Sequence, residues 1–195
     1  MKQLTRKGTS TRDRILNETL SLLQEQWYDG VSLREVAKRS GIKLGNLQYY
    51  FATREALFYA LVERQAAQDN EAIATLLSES ESAEAALNVI IRDLFNRWRR
   101  NDGAVYIVLQ LLRGSAAQFA DLYRTVYEQH YQSLEPVLAQ LNQGLSKAES
   151  AFRAKLITAL IDGATMQIVE APDRDAFIER VVSEATRLAV LPGDS

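Results

Sequence analysis

Residues 32–51, SLREVAKRSGIKLGNLQYYF, leave the chain little choice of local structure. Ser32 followed three residues later by Glu35 is a capping box, which pins a helix start ahead of Leu33 and Val36. Ser40 and Gly41 end that helix, because glycine takes the positive φ that a sharp turn demands. Ala37 leaves room for a close helix crossing, and Ile42 leads back to the core. A second helix then runs from about residue 44 to 51, with Leu47 and Phe51 four residues apart on one face. Helix, tight turn and helix is the arrangement that lays one helix in the major groove of DNA.

The other face of the second helix carries Lys43, Asn46, Gln48, Tyr49 and Tyr50. Amide side chains pair with adenine edges, aromatic rings meet thymine methyls, and cations and hydroxyls meet phosphates. A plain solvated face would explain any one of these residues, but two adjacent tyrosines beside Gln48 weaken that explanation. The expected base readers are Asn46 and Gln48, with Tyr49 in an apolar or base-edge contact. Ser32, Lys43, Tyr50 and Arg54 are expected on the sugar-phosphate backbone, and Arg34 on a base or a phosphate. Leu44 and Gly45, at the start of the helix, complete the DNA-facing set.

The run over residues 11–61, with TRDRILNETLSLL, SLREVAKRSGIKLGNLQYYF and TREALFYAL, resembles the N-terminal DNA-binding domain of the TetR family of one-component repressors. That family has an Ala and a Gly in its helix-turn-helix, an aromatic-aromatic-Phe string at the end of the recognition helix, and a basic residue followed by Glu at the next helix. Ala37, Gly41, Tyr49-Tyr50-Phe51, Arg54 and Glu55 stand in those places. The resemblance covers about a quarter of the chain. Many members have Thr and Tyr where this chain has Asn46 and Gln48, so no base preference carries over. The resemblance implies a double-stranded DNA operator as partner, a dimer formed by the last two long helices, and a small-molecule effector held in the body.

Composition agrees with an all-α chain. Three prolines and nine glycines are few in 195 residues, and helix formers abound. The expected architecture is an N-terminal three-helix helix-turn-helix head, residues 1–52, joined by a long helix to an α-helical regulatory and dimerisation body, residues 53–195, with about nine helices in all. The chain has no cysteine, which excludes disulfides and thiol catalysis and makes a reducing cytoplasm the natural compartment. No apolar run follows the basic N-terminus, and no stretch approaches the ~18 apolar residues of a membrane helix. A soluble, cytoplasmic protein is expected. Charge is uneven: residues 1–54 carry +5 and the remainder −7, which would orient the basic head on a polyanion.

Taken in order, the first eight or nine residues are expected to form an arm whose Lys2, Arg6 and Lys7 touch phosphate or the minor groove. A helix from Ser10, with Asp13 in a second box-like start, should reach about Gln26 and bury Ile15, Leu16, Leu20, Leu23 and Trp27. Asp29 and Gly30 mark a turn. Thr53 caps the next helix, which has Glu55 in its first turn and continues to Leu77. About 24 residues span roughly 36 Å, so this helix is the one segment that links head to body. A loop is expected at SESES, residues 78–82. Five helical segments follow, near residues 87–98, 105–112, 116–142, 147–170 and 174–191. Pro136 should kink or break the third of these, and Asp173 should cap the last.

The penultimate helix presents Leu156, Ala159, Leu160, Gly163, Ala164 and Gln167, and the last presents Phe177, Val181, Ala185 and Leu188 at near-heptad spacing. A pair buried within one monomer accounts for half of that surface; the resemblance assigns the rest to a homodimer. A two-fold dimer places two recognition helices roughly 34 Å apart and requires a palindromic operator. Candidate effector contacts are Trp98, Tyr106, Tyr123, Tyr127, His130, Tyr131, Asp162 and Met166, since a pocket needs apolar walls with a few polar handles. Core aromatics with satisfied hydroxyls would present the same residues. His130 is the sole histidine and cannot build a metal cage alone. No nucleophile, phosphate loop or acid-base pair is evident, and Asp162 has no identifiable catalytic partner, so neither an enzyme nor a cofactor is expected. The reading is a ligand-responsive transcriptional regulator, a repressor released from its operator by a small molecule. The alternative is a helical dimeric or protein-interaction module without a sensing role.

Overall fold

All nine elements of the computed structural model are helices among the residues it describes, 6–99, 103–167 and 173–192. They are α1 (Arg6–Gly30), α2 (Leu33–Arg39), α3 (Leu44–Tyr50), α4 (Arg54–Glu79), α5 (Ala83–Arg99), α6 (Ala104–Leu112), α7 (Ala117–Leu141), α8 (Lys147–Gln167) and α9 (Arg174–Val190). None of the described helices is long and apolar enough to cross a membrane. The chain forms two compact units, one of Met1–Ala66 with Asn101–Tyr123 and one of Ala67–Arg100 with Arg124–Ser195. The division therefore differs from a boundary after residue 52. Leu57, Phe58, Leu61 and Val62 are fully buried at the start of α4, and a helix belongs to the core it fills. In the same unit α6 packs against α1.

The first unit is built on α1. Ile15, Leu16, Leu22 and Leu23 are fully buried, while Leu20 is only half-buried. The helix already runs from Arg6, so Ser10 and Asp13 do not start it; residues 1–5 of the expected arm lie outside the described residues. Arg39 on α2 reaches Glu25 at 2.5 Å and Glu18 at 3.3 Å, tying α2 to α1. Arg64 on α4 donates to Asn17 Oδ1 at 2.7 Å and to the Asp13 carbonyl at 3.3 Å, tying α4 to the same helix.

Trp27 departs from its expected core position. It is 56% exposed, and its backbone, at φ 59° and ψ −179°, is not helical. The i, i+4 register with Leu23 is broken at that residue, so the indole no longer follows the buried stripe. Glycine is essentially the only residue at ease in this conformation. Close by, a Cβ on Gly30 would lie 2.5 Å from Gln26 Cβ, so the end of α1 is tightly drawn.

The second unit packs α5, α7, α8 and α9 around Leu87, Phe95, Leu138, Ile157, Ile161 and Val182. Burying each large apolar side chain stabilises by roughly 1.5–3 kcal/mol. Pro136 does not split α7, which is one helix over Ala117–Leu141. Its neighbours Leu134, Val137 and Leu138 are buried and offset the lost backbone bond. Helix α4 includes Ser78 and Glu79, which shortens the expected loop to residues 80–82. Ser82 Oγ accepts from Ala85 N at 3.2 Å and starts α5. Asp173 sits at the start of α9 but makes no side-chain cap bond; its φ of −100° and ψ of 21° fall outside the extended geometry that aims an N-cap oxygen inward.

The end of α9 is held by a buried cation. Arg153 on α8 donates to the carbonyls of Leu188 at 3.0 Å, Leu191 at 2.5 Å and Pro192 at 2.8 Å, and to Glu149 at 2.7 Å. Asn142 Nδ2 adds a bond to the Leu191 carbonyl at 2.7 Å. Leu188 supplies one of the orphan acceptors that a helix leaves at its C-terminus, and Leu191 and Pro192 follow directly beyond it.

Trp27→Gly is expected to stabilise the protein. Relief of about 1–3 kcal/mol of backbone strain exceeds the roughly 0.5–1 kcal/mol entropic cost of glycine. A gain near 1 kcal/mol corresponds to a rise of about 2–4 °C in Tm. A lower Tm for the glycine variant would show that the exposed indole makes contacts outweighing the strain.

Candidate nucleic-acid interface

The turn between α2 and α3 is specified by backbone hydrogen bonding. Ser32 is extended, at φ −114° and ψ 153°, and its Oγ accepts from Glu35 N at 3.2 Å. The Glu35 carboxylate lies 3.7 Å from Lys38 Nζ, facing along α2. Gly41 has φ 65°, and a Cβ there would meet nothing within 4 Å, so the demand for glycine is conformational and not steric. Gly41 N donates to the Lys38 carbonyl at 3.1 Å and Ile42 N to the Ala37 carbonyl at 3.0 Å. Together these satisfy the end of α2 and turn the chain into α3.

Helix α3 has seven residues, too few to stand alone in water. Leu47 and Phe51 hold it, both buried, and Phe51 N closes the last turn on the Leu47 carbonyl at 2.9 Å. Asn46, Gln48 and Tyr49 are exposed on the opposite side, as are Ser32, Arg34, Lys43 and Gly45, while Leu44 and Tyr50 are half-buried. Tyr49 is 63% exposed; its ring meets that of Tyr50 edge-on at 5.4 Å, an arrangement that favours aromatic pairs. The structure thus brings nine of the ten expected DNA-facing residues to the α2–α3 region with accessible surface.

Arg54 is the exception. Its Nη2 donates to the Tyr28 carbonyl, and its guanidinium carbon lies 3.8 Å from the Tyr28 ring centroid and 5.4 Å from that of Phe58. The side chain expected to reach a phosphate is instead folded onto the end of α1. Thr53 behaves as expected, its Oγ1 accepting from Ala56 N at 3.1 Å.

The expected effector residues separate. Tyr106 and Tyr123 belong to the first unit, where Gln110 Nε2 donates to Tyr123 Oη at 3.4 Å. Tyr127, His130, Tyr131 and Asp162 cluster in the second. There Tyr127 Oη donates to Asp162 Oδ2 at 2.9 Å, and the Tyr127 ring lies 5.8 Å from His130 and 6.1 Å from Tyr131. Burial pushes the Asp162 carboxyl up, with the Tyr127 hydrogen bond working the other way. Burial likewise holds His130 below its ordinary range, against the pull of Asp69. Met166 is 62% exposed and lines no such cluster, because its position on α8 turns it outward. The side chain of Trp98 lies outside the described residues.

Sequence reasoning did not find Asp69, which is buried on α4 and pairs with Arg97 on α5 at 2.5 Å. Arg97 also holds Asp93 at 2.6 Å. Burial works against the Arg97 charge, and the two carboxylates outweigh it, raising its pKa. Nothing in periodicity distinguishes such an aspartate from a solvated one.

The expected dimer residues also divide. Ala164, Val181 and Ala185 are buried in the core of their own unit, where α8 and α9 pack against each other and against α5. Leu160, Gly163 and Leu188 are half-buried, whereas Leu156, Gln167 and Phe177 are exposed. Helix α8 carries a second, outward stripe of Phe152, Leu156, Ala159, Gly163 and Met166, spaced 4-3-4-3. Phe152, 57% exposed, stands four residues before Leu156 and one heptad before Ala159, a spacing the sequence carries but that was not singled out.

Comparison with known proteins adds to this geometry. Residues 15–61 match the family model of the bacterial regulatory proteins of the tetR family. The HTH-type transcriptional regulator YxaF of Bacillus subtilis (strain 168), itself uncharacterized, is 25% identical over 178 residues, spanning 90% of this chain and 93% of that protein. The HTH-type transcriptional regulator BetI of Serratia proteamaculans (strain 568) is 24% identical over 154 residues, 78% of this chain and 77% of BetI. The fold is similar to that of a TetR transcription regulator from Haloarcula marismortui ATCC 43049, with a TM-score of 0.76 at 19% identity over 93% of this chain and 97% of that one. It is also similar to reduced NemR of E. coli, with a TM-score of 0.77 at 18% identity over 94% and 100% of the two chains.

Arg54→Gln is expected to lower stability by about 1–3 kcal/mol, through loss of the bond to the Tyr28 carbonyl and of the cation–π contacts. The midpoint of urea denaturation measures it. An unchanged midpoint would mean that Arg54 does not brace the head.

Proposed function

We propose that this chain, whose residues 15–61 match the family model of the bacterial regulatory proteins of the tetR family, is a repressor that binds a palindromic operator as a homodimer and leaves it when a small molecule binds the body. The chain is a transcriptional regulator with a helix-turn-helix head. The observation that carries the finer reading is the outward face of α3, where Asn46, Gln48 and Tyr49 stand exposed on a helix anchored through Leu47 and Phe51. Asn46 and Gln48 are assigned to base edges and Tyr49 to an apolar or base-edge contact. Ser32, Lys43 and Tyr50 are assigned to phosphates, Arg34 to a base or phosphate, and Leu44 and Gly45 to close backbone approach.

The homodimer is supported by the outward α8 stripe. A 4-3-4-3 run of Phe152, Leu156, Ala159, Gly163 and Met166 is a coiled-coil seam, and its small residues Ala159 and Gly163 admit close approach of an identical helix. Phe177 at the start of α9 extends it. The effector site is assigned to the Tyr127–Asp162 cluster. A buried carboxylate with a raised pKa is unfavourable for stability at neutral pH, and such groups concentrate at functional sites. Helix α4 contributes to both units, with Asp69 buried in the second, so it is the element through which an effector would change the spacing of two recognition helices. A coupling of about 1–3 kcal/mol suffices.

Selection of bound sites from a random duplex library tests operator recognition. The parent should return an inverted repeat with half-site centres one helical turn apart, roughly 34 Å. Gln48→Ala should relax one position in each half-site, a loss of about 1–3 kcal/mol of discrimination. Phe152→Asp should return single half-sites. A profile unaltered by Gln48→Ala removes that residue from base readout, and an unaltered inverted repeat with Phe152→Asp removes the α8 seam from the dimer.

The effector reading is tested with any small molecule that raises the Tm. By linkage, a ligand that weakens operator binding must itself bind less tightly when operator is present. Stabilising ligands that leave operator affinity unchanged would show that the body does not govern the head.

A further inference from the structure

The cations flanking α3 differ in what holds them. Lys43, at the N-terminal end, is exposed and makes no cap bond through its side chain. Arg54, beyond the other end, is turned onto the Tyr28 carbonyl and ring. A third cation stands at the Phe51 end of α3. Arg12 on α1 holds its guanidinium carbon 5.4 Å from the ring centroid of Phe51, the residue that closes α3.

Arg12 makes no ion pair with a carboxylate among the described residues; its recorded contact is the Phe51 ring. Its charge acts on another cation. Arg64 is held below its ordinary range by burial; Asp13 opposes this, and Arg12 adds a smaller push in the same direction as burial. A guanidinium stacked on an aromatic face leaves its N–H edge free to fork onto phosphate oxygens.

We propose that Arg12 binds a DNA backbone phosphate at the Phe51 end of α3, opposite the phosphate taken by Lys43 at the other end. The inference rests on the reading of the head as a duplex-DNA binder, and it moves the second phosphate anchor from α4 to α1. Such a contact positions α3 in the groove without reading sequence. Because Arg12 lies on the ring of the residue that ends α3, the anchor and the recognition helix move as one body.

The test is the salt dependence of duplex binding by the full chain, for the parent, Arg12→Gln, Arg12→Leu, Arg12→Lys and Arg54→Gln, each at a temperature where circular dichroism shows it folded. The leucine variant keeps an apolar contact with the Phe51 ring, so a loss common to Gln and Leu belongs to the charge. Both are expected to reduce the slope of log K against log salt by about one unit and to weaken binding equally on selected and random duplexes. Lys should keep the slope, and so should Arg54→Gln. A parent that fails to bind duplex at low salt overturns the DNA reading and this inference with it. A parent that binds while both charge-deleting variants keep its slope overturns the Arg12 anchor alone.

Discussion

The seating of α3 by Leu47 and Phe51 is the interaction on which the functional surface depends. A seven-residue helix cannot maintain itself in water, so the directions of Gln48, Tyr49 and Asn46 are inherited from two buried side chains. Phe51 does this in three ways. Its ring fills the head, its amide closes the last turn on Leu47, and its face receives Arg12. The brace from Arg54 to Tyr28 secures the start of α4 directly after α3, so both ends of the recognition helix are fixed by contacts within one compact unit. A rigid surface of this kind loses little entropy on binding.

The second unit uses charge differently. Asp69, Arg97 and Asp93 form a partly buried network, and Arg153 caps α9 from within. Buried ion pairs add little net stability against apolar replacements, but losing one partner strands the other. Their effect is therefore on register. Arg153 specifies where α9 ends on α8, and Asp69 specifies which turn of α4 faces α5. At Asp162 the Tyr127 hydrogen bond works against burial, and burial still pushes the carboxyl up. That imbalance separates a candidate ligand site from structural polar groups nearby.

Helix α8 carries two apolar stripes. The inner one, with Ala154, Ile157, Ile161 and Ala164, is part of the core. The outer one is exposed at Phe152, Leu156, Ala159 and Met166 and half-buried at Gly163. A helix apolar on two faces reads as uniformly hydrophobic in a sequence, so the outward residues and those of the core could not be told apart there. This is why Ala164, expected at an interface, is found inside. It is also why Phe152 was passed over and Met166 was assigned to a pocket.

The sequence by itself determined the elements and the local face of the head. Capping at Ser32 and Thr53, the positive φ of Gly41, and the i, i+4 pair of Leu47 and Phe51 depend on neighbours within a few residues, and periodicity and turn chemistry report such neighbours directly. The all-helical class and the approximate limits of every helix followed from the same local rules. Tertiary structure decided whatever depends on residues distant in the chain. Trp27 leaves the α1 stripe because the end of that helix is drawn into a conformation its own sequence does not favour. Arg54 turns inward because Tyr28, 26 positions earlier, presents a carbonyl and a ring. Arg12 stands at the end of the recognition helix because Phe51 lies under it. Long flexible cations have no intrinsic direction, so their roles are settled only when the fold supplies a partner, and no spacing rule along the chain can anticipate which partner that will be.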